Sequence, residues 1–153
     1  MPARRAAAVV MVIAALAALA AACDRSPTAA HCGDHLGGVW ETDDGAARWH
    51  LLDGGARIEG YPLVRELPDT PTGTQAAPSR LELRRADREV AGDVVRRWHQ
   101  GARTCIVRAP ARIRGCSADR LTLTLGDTGA PSFPSCDPPR EPPRTLLLRR
   151  TWP

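Results

Sequence analysis

The chain has 153 residues, which is enough for one domain with a short appendage,. Its formal net charge is +4 and its pI is about 9.1, yet every basic residue is Arg, and these are interleaved with Asp and Glu. Proteins that bind nucleic acids concentrate basic residues on one face, often beside aromatic side chains. The scattered charge and the scarcity of aromatic residues therefore argue against a nucleic-acid partner.

The first 22 residues have the pattern of an export signal. Arg4 and Arg5 precede an uncharged run from 6 to 22, which contains Val, Ile and Leu and ends in small residues. A charged start, an apolar centre and a small-residue end are typical of a cleaved secretory signal peptide. A membrane-spanning helix is the alternative, but this Ala-rich run is at the short limit of about 17–25 residues for a span.

Ala20-Ala21-Ala22-Cys23 resembles the bacterial lipobox, in which small residues precede a Cys that is diacylated and becomes the new N-terminus. It departs from the family pattern at Ala20, where Leu is preferred. The resemblance implies lipidation at Cys23 and a cell-envelope protein that is held on a membrane by N-terminal acyl chains, facing the periplasm or the cell surface. Two acyl chains give stable anchoring where one is marginal.

Residues 23–31 are predicted to form the lipidated N-terminus and a short tether. The stretch 24–30 is small, polar and contains Pro, and its seven residues reach about 23 Å at most when extended,. The folded domain is therefore expected to begin at residue 32 and to stay close to the membrane surface.

The number of cysteines supports export and lipidation. In an oxidising compartment thiols form disulfides, and removal of a lipidated Cys23 from the count leaves an even number. We expect two disulfides among the remaining cysteines, which are Cys32, Cys105, Cys116 and Cys136. A later cut after residues 28–30 discards Cys23 and also leaves four, whereas a cut after Ala22 without lipidation leaves one unpaired.

From residue 36 onwards, short β-prone segments alternate with turn residues such as Asp-Gly and Gly-Gly,. The predicted strands are 36–42, 46–52, 56–63, 79–85, 89–98, 103–116, 120–125 and 145–152. A loop rich in Pro and Thr covers 68–78, and a Pro-rich segment covers 128–144, where regular structure is excluded. No sustained helical period occurs after the signal.

About eight short strands with regular turns predict a single all-β domain over residues 32–153. Sequential hairpins favour a small antiparallel up-and-down β-barrel or barrel-like sheet, because closure removes exposed edges. A β-sandwich is the alternative. The candidate core residues are Trp40, Trp49, Leu51, Ile58, Leu81, Leu83, Val90, Val94, Trp98, Val107, Ile113, Leu121, Leu123, Leu125, Leu146 and Leu148.

The alternation of side chains constrains the disulfide pairing. Between 103 and 116 the side chains of one face alternate with those of the other face, and this alternation continues across Pro110. The pattern predicts one long strand with Pro at an edge or bend. Cys105 and Cys116 would then lie about 36 Å apart, whereas a disulfide needs Cα atoms within about 7 Å. Of the two remaining connectivities we favour Cys32–Cys105 with Cys116–Cys136.

Gly38-Val39-Trp40 resembles the G-x-W at the start of the first strand of lipocalins. The resemblance implies that Trp40 closes one end of a barrel and that an Arg of the last strand packs over its ring. Arg149 or Arg150 is the expected partner, through a cation–π contact worth about 0.5–2 kcal/mol. An ordinary core Trp after a Gly-Gly turn is the alternative.

Other candidate sites are weaker. His31, Cys32 and His35 have a spacing that permits a metal site, but an exported Cys is more often in a disulfide. His50 and His99 each adjoin a Trp and are expected on strand surfaces. The sequence patterns of α/β-hydrolases, phosphate-binding loops and zinc proteases do not occur,. We therefore expect no catalytic residue, no metal and no cofactor.

These observations predict a non-catalytic, lipid-anchored protein of the cell envelope. Its domain is expected to be a partner-binding or structural β module that uses the loops 68–78 and 128–144 to meet another envelope protein. The alternative is a lipocalin-like carrier of a small apolar ligand, because an eight-stranded barrel has room for its own side chains or for one small ligand.

Overall fold

The computed structural model describes residue 32 and residues 35–63, 73–87 and 89–153. The predicted signal peptide (1–22), the tether (23–31) and the lipidation site Cys23 lie outside these residues. Within the described ranges every regular element is a β-strand, and no helix long and apolar enough to cross a bilayer occurs.

Nine strands follow one another in the described part of the chain. They are β1 (Gly38–Thr42), β2 (Arg48–Asp53), β3 (Arg57–Pro62), β4 (Thr74–Ala76), β5 (Arg80–Ala86), β6 (Glu89–Gln100), β7 (Arg103–Arg114), β8 (Arg120–Leu125) and β9 (Arg144–Trp152). Eight of them correspond to the predicted strands. The exception is β4, which lies in the segment predicted as a loop.

Eight strands form a closed antiparallel barrel. The strands β1, β2, β3, β5, β6, β7, β8 and β9 pair in this order, and β9 pairs with β1, so the chain runs up and down around the barrel. The short β4 pairs with the end of β6 and is additional to the barrel. The predicted up-and-down barrel is confirmed. The β-sandwich alternative is wrong, because the pairing continues around all eight strands without a break.

Alternation along the strands places apolar side chains in the interior. In β7 the residues Cys105 to Ile113 alternate strictly between buried and exposed, and the alternation continues through Pro110. The prediction of one long strand in this region is therefore confirmed. The predicted core residues are buried, except that Leu146 is half-buried and packs against the core from its edge.

The barrel has two ends that differ in structure. The proximal end carries Cys32, the turn between β2 and β3, and the last residues of β9. The distal end carries the turn between β6 and β7, where these two twelve-residue strands extend beyond their neighbours β5 and β8. A second apolar cluster around Trp98 and Val107 forms on this extension.

The buried carboxylate of Asp53 organises the proximal end. Its side chain is 0% exposed and accepts hydrogen bonds from the backbone N–H of Leu36 (2.6 Å) and Gly55 (2.9 Å) and from both terminal nitrogens of Arg85. Burial raises the pKa of Asp53, but the hydrogen bonds from Arg85 and the backbone outweigh this effect and hold the pKa below its ordinary value,. Arg85 also donates to the Cys32 carbonyl at 3.0 Å, so one ion pair connects three segments.

The disulfides join Cys32 to Cys116 and Cys105 to Cys136, with Cα–Cα distances of 5.0 and 5.4 Å. The predicted pairing of Cys32 with Cys105 and of Cys116 with Cys136 is therefore wrong. The physical reason is the length of β7, which places Cys105 near the distal end and Cys116 at the proximal end. Cys32 enters at the proximal end, whereas Cys136 packs in the distal cluster. The exclusion of a Cys105–Cys116 bridge holds for the same reason.

Candidate functional site

The distal end of the barrel opens into a cavity of about 690 Å³, named here the mouth cavity. Three inward-facing core residues, Trp49, Val94 and Leu125, form its apolar wall. Ser79, Arg96 and residues of the segments 126–130 and 139–144, which connect β8 to β9, complete the lining. Cavities that hold small molecules have volumes of about 300–1,000 Å³, so the mouth cavity has the size of a small-ligand site.

Buried polar side chains are concentrated at the mouth cavity. Of the four buried polar residues in the described ranges, Ser79, Arg96 and Thr128 line it, and Arg96 is only 8% exposed. The Nη2 atom of Arg96 donates to the Ser79 hydroxyl at 3.1 Å, and its guanidinium lies 5.9 Å from the centre of the Trp98 ring. A buried Arg is uncommon because desolvating its charge is costly. It provides hydrogen-bond donors beside an apolar wall.

Asp127 adds an acceptor to this region. Its Oδ1 accepts the backbone N–H of Gly129 at 2.8 Å, whereas its Oδ2 is buried and has no hydrogen-bond partner in the described part of the chain. A buried acceptor without a donor loses its hydration without compensation. The carboxylate of Asp127 thus places an uncompensated acceptor next to the mouth cavity.

A second cavity, of about 560 Å³, lies beside the segment that follows β8. Residues 108–112 of β7 form one side, and residues of the Pro-rich segment 138–143 form another. Gly126 contributes to the lining, and its backbone N–H donates to the Pro110 carbonyl at 2.7 Å. Asp127 lines both cavities, so the two lie next to each other.

Trp40, which was predicted to close one end of the barrel, is fully buried. Its indole Nε1 donates to the Leu36 carbonyl at 2.9 Å, and the guanidinium of Arg150 lies 4.6 Å from the ring centre. Of the two expected partners, Arg150 therefore makes the contact. Arg149 is half-exposed and forms an ion pair with Asp43 at 3.6 Å.

Gly38, the other residue of the G-x-W resemblance, has a backbone φ of +126°, which disfavours residues with a side chain,. A Cβ at this position would lie 2.4 Å from the backbone oxygen of Trp152. The first and last strands therefore approach each other closely only because residue 38 is Gly. This contact, like the Trp40–Arg150 pair, belongs to the proximal end and lies away from the mouth cavity.

The histidines do not form a site in the described residues. His31 lies outside them, Cys32 is in a disulfide, and His35 is exposed, with its Nδ1 3.7 Å from Asp53 Oδ2. Among the described residues no group of three or more His, Cys, Asp or Glu side chains is arranged to hold a metal ion. His50 is half-buried in β2, and His99 shares a hydrogen bond with Thr104.

The polar residues of the mouth cavity are not among the site residues predicted from the sequence. A signal for Arg96 was present, since it has the same parity as Val94 and Trp98 and must therefore face inward with them. Ser79 and Thr128 lie at strand and loop boundaries, where alternation gives no information. Their proximity depends on contacts between distant segments, so no local pattern indicates it.

Comparisons with protein families, curated proteins and solved structures find no match for this chain. The arrangement of side chains is therefore the basis for any functional argument. The lining of the mouth cavity combines an apolar wall with the polar residues Ser79 and Thr128 and with the charged residues Arg96, Asp127, Glu141 and Arg144. Such a set can hold a molecule through apolar contact, hydrogen bonds and charge.

Proposed function

We propose that this protein is a lipid-anchored, non-catalytic binding protein of the cell envelope, which holds a small ligand in the mouth cavity. The observation that carries the proposal is the composition of this cavity, in which the core residues Trp49 and Leu125 lie beside the buried Arg96. Small-molecule sites are mostly apolar, with few polar groups that orient the ligand. The ligand that fits has an apolar body and a polar, hydrogen-bonding head.

Lipidation of Cys23 would orient the barrel through the position of Cys32. Nine residue steps separate Cys23 from Cys32, and these reach about 30 Å at most. Because Cys32 is fixed to Cys116 at the proximal end, acyl chains on Cys23 hold this end towards the bilayer. The mouth cavity at the opposite end then points away from the membrane into the aqueous space. Two disulfides are also what an exported domain is expected to contain.

The anchor is tested on the full-length protein made in a bacterial host. The intact mass and the N-terminal peptide of the mature protein are measured without reduction. We expect a chain that begins at Cys23 and carries acyl chains. A Cys23→Ser variant is expected to lose the membrane fraction and to keep both disulfides. A mature chain that begins at His31 contradicts the anchor.

Ligand binding is tested with two variants of neighbouring residues. Arg96→Met removes the buried charge from the mouth cavity, and Arg97→Met is the matched control, since Arg97 is exposed on the outer face of the same strand. The probe is 1-anilinonaphthalene-8-sulfonate, which has an apolar body and an anionic group. A hydrogen bond to a charged group contributes about 1.5–3 kcal/mol, so Arg96→Met is expected to weaken binding roughly tenfold or more.

Native mass spectrometry of protein from its own host gives the second readout. A stoichiometric small molecule is expected on the wild type and on the Arg97→Met variant, and it is expected to be lost from the Arg96→Met variant. Equal binding by both variants contradicts the mouth cavity as the site. Unchanged unfolding midpoints show that the variants are folded.

Partner binding, the other function expected from the sequence, is favoured by a separate observation. The outer edge of β7 pairs with β8 only over its last four residues, Ala111 to Arg114. The remaining edge is a place where another polypeptide can pair with the barrel. Partner binding there does not compete with a ligand, because the edge and the mouth cavity are different surfaces.

A further inference from the structure

The two strands at the distal side of the barrel differ in length. β7 has twelve residues and pairs along its whole length with β6 on one side. β8 has six residues and pairs with β7 only over 111–114. The next contact is the hydrogen bond from Gly126 to the Pro110 carbonyl, after which the chain leaves the sheet. The place of a neighbouring strand beside 103–109 is therefore not taken by any strand of the described ranges.

The register shows which backbone groups line this edge. The carbonyl of Pro110 bonds to Gly126 and therefore points away from β6. In an antiparallel pair, residues that bond to one neighbour alternate with residues that face the other side. The N–H and C=O groups of Thr104, Ile106 and Arg108 consequently also point away from β6. Within the described part of the chain, these groups make no backbone hydrogen bond.

The side chains at this edge are accessible. Ile106 is 52% exposed, and Thr104 and Arg108 are exposed as well. The second cavity borders the edge at Arg108 and Ala109 and continues between β7 and the Pro-rich segment 138–143. Proteins normally cover or shorten such edges, because an open edge pairs with other chains. Addition of an extended peptide to an open edge is a common mode of recognition.

Charge indicates the kind of partner. β7 contains four Arg residues and no Asp or Glu, and Arg97 of β6 lies directly opposite Ile106. Arg108 is paired with Glu82 at 2.9 Å and Arg112 with Glu89 at 3.0 Å, whereas Arg103 at the start of β7 and the exposed Arg97 add positive charge beside the open edge. A second copy of the same strand would bring further Arg residues to the edge and no acidic ones. An extended segment with acidic side chains matches this edge.

We propose that the outer edge of β7, over residues 103–109, accepts an extended acidic segment of another envelope protein as an additional β-strand. This inference deepens the partner-binding function and names its partner class, and it does not depend on a ligand in the mouth cavity. The hydrogen bonds come from the backbone groups at 104, 106 and 108, and the Arg side chains select for acidic residues.

Ile106→Pro is the variant that tests the edge. It removes one outward N–H, which bonds to nothing in the described barrel, and Pro110 already occupies a position of the same parity in the same strand. Pro at an edge position that faces away from the sheet is compatible with the fold. Ile106→Ala is the matched control, because it keeps the N–H and shortens the side chain. Both variants are expected to keep the unfolding midpoint of the wild type within a few degrees.

The probe is a fluorescent nine-residue peptide that alternates Val with Glu, compared with the same peptide carrying Lys in place of Glu. We expect the acidic peptide to bind at low salt and the basic one to bind at least tenfold more weakly. Binding is expected to slow hydrogen exchange of the amides of Thr104, Ile106 and Arg108. Binding of the acidic peptide is expected to be lost in Ile106→Pro, whereas its Kd in Ile106→Ala is expected to stay within threefold of the wild-type value.

Several results overturn the proposal. These are equal binding of the two peptides, undiminished binding by Ile106→Pro, amides at the edge that are already protected in the free protein, or no binding at millimolar peptide. A concentration-dependent dimer that Ile106→Pro abolishes would show that a second copy occupies the edge, which also overturns an acidic partner.

A photo-crosslinking amino acid in the full-length protein in its host separates this inference from the partner-binding function itself. The position to be replaced is Thr104 at the edge, and Leu147, which is 70% exposed on β9, is the control. Adducts from Thr104 that disappear with Ile106→Pro support the edge. Adducts that persist with Ile106→Pro overturn the edge alone, and the absence of adducts from both positions overturns partner binding as well.

Discussion

The disulfide between Cys32 and Cys116 is expected to stabilise the domain more than the one between Cys105 and Cys136. The two bridges close loops with sequence separations of 84 and 31 residues. When loop closure in the unfolded chain is treated as an entropy that grows with the logarithm of loop length, the first bridge contributes about 4.6 kcal/mol and the second about 3.7 kcal/mol at 25 °C. Paired replacement of the cysteines by Ala tests this order.

The contacts around each bridge also predict that loss of the Cys32–Cys116 bridge is the more destabilising. Loss of the first bridge also frees the segment whose Cys32 carbonyl accepts a hydrogen bond from Arg85 and whose Leu36 is 1% exposed. Loss of the second frees a loop that covers the smaller distal cluster. Domains are stable by about 5–15 kcal/mol in total, so removal of the first bridge is expected to leave a marginal fold.

The assay is urea unfolding of the Cys32→Ala/Cys116→Ala and Cys105→Ala/Cys136→Ala variants, followed by circular dichroism and extrapolated linearly to water. The wild type in reductant serves as the reference for loss of both bridges and is expected to be less stable than either variant. A greater loss of stability from the second pair than from the first, or losses below about 1 kcal/mol from both, would contradict a stabilisation set by loop length.

Three further predictions concern single residues. Asp53→Asn leaves a buried guanidinium without its carboxylate and is expected to cost about 3–5 kcal/mol in urea unfolding. The folded-state pKa of Asp53 is lowered, so its contribution to the free energy of unfolding is complete above the unfolded pKa of about 3.8 and is lost as the pH falls through the folded pKa,. In this acid range the stability of the wild type is therefore expected to fall more steeply with pH than that of the variant. Arg150→Met removes the contact with Trp40 and is expected to cost about 0.5–2 kcal/mol by the same assay, whereas no loss would contradict the contact,. Gly92→Ala places a Cβ 2.1 Å from the Glu82 carbonyl oxygen and is expected to cost about 1–3 kcal/mol, and an unchanged midpoint would show that the strands separate without cost,.

Alternation of side chains was sufficient to predict the barrel and its core. In β7 and β8 the residues that share a face are also the residues that are buried, so a local rule gave the correct interior. The same rule correctly predicted that β7 continues through Pro110. The strand β4 could not be predicted, because Thr74 to Ala76 are too few to show a period and become a strand only by pairing with the end of β6.

The disulfide pairing and the mouth cavity depend on long-range geometry. The spacing of Cys105 and Cys116 excluded one connectivity, but the choice between the other two required the end of the barrel at which Cys32 enters. The cavity was missed for a related reason, since Ser79, Arg96 and Thr128 come from three separate segments. The parity of β6 predicted the direction of Arg96 but not the neighbours that it meets.

The closing contact of the barrel lies between β1 and β9, the first and the last strand of the described residues. The strand β1 reaches the folding compartment before β9, and until β9 follows, the sheet has two unpaired edges, on β1 and on β8. Long-range pairings of this kind form slowly and expose incomplete intermediates to aggregation. Deletion of β9 is therefore expected to leave a sheet that does not close, with exposed edges on β1 and β8.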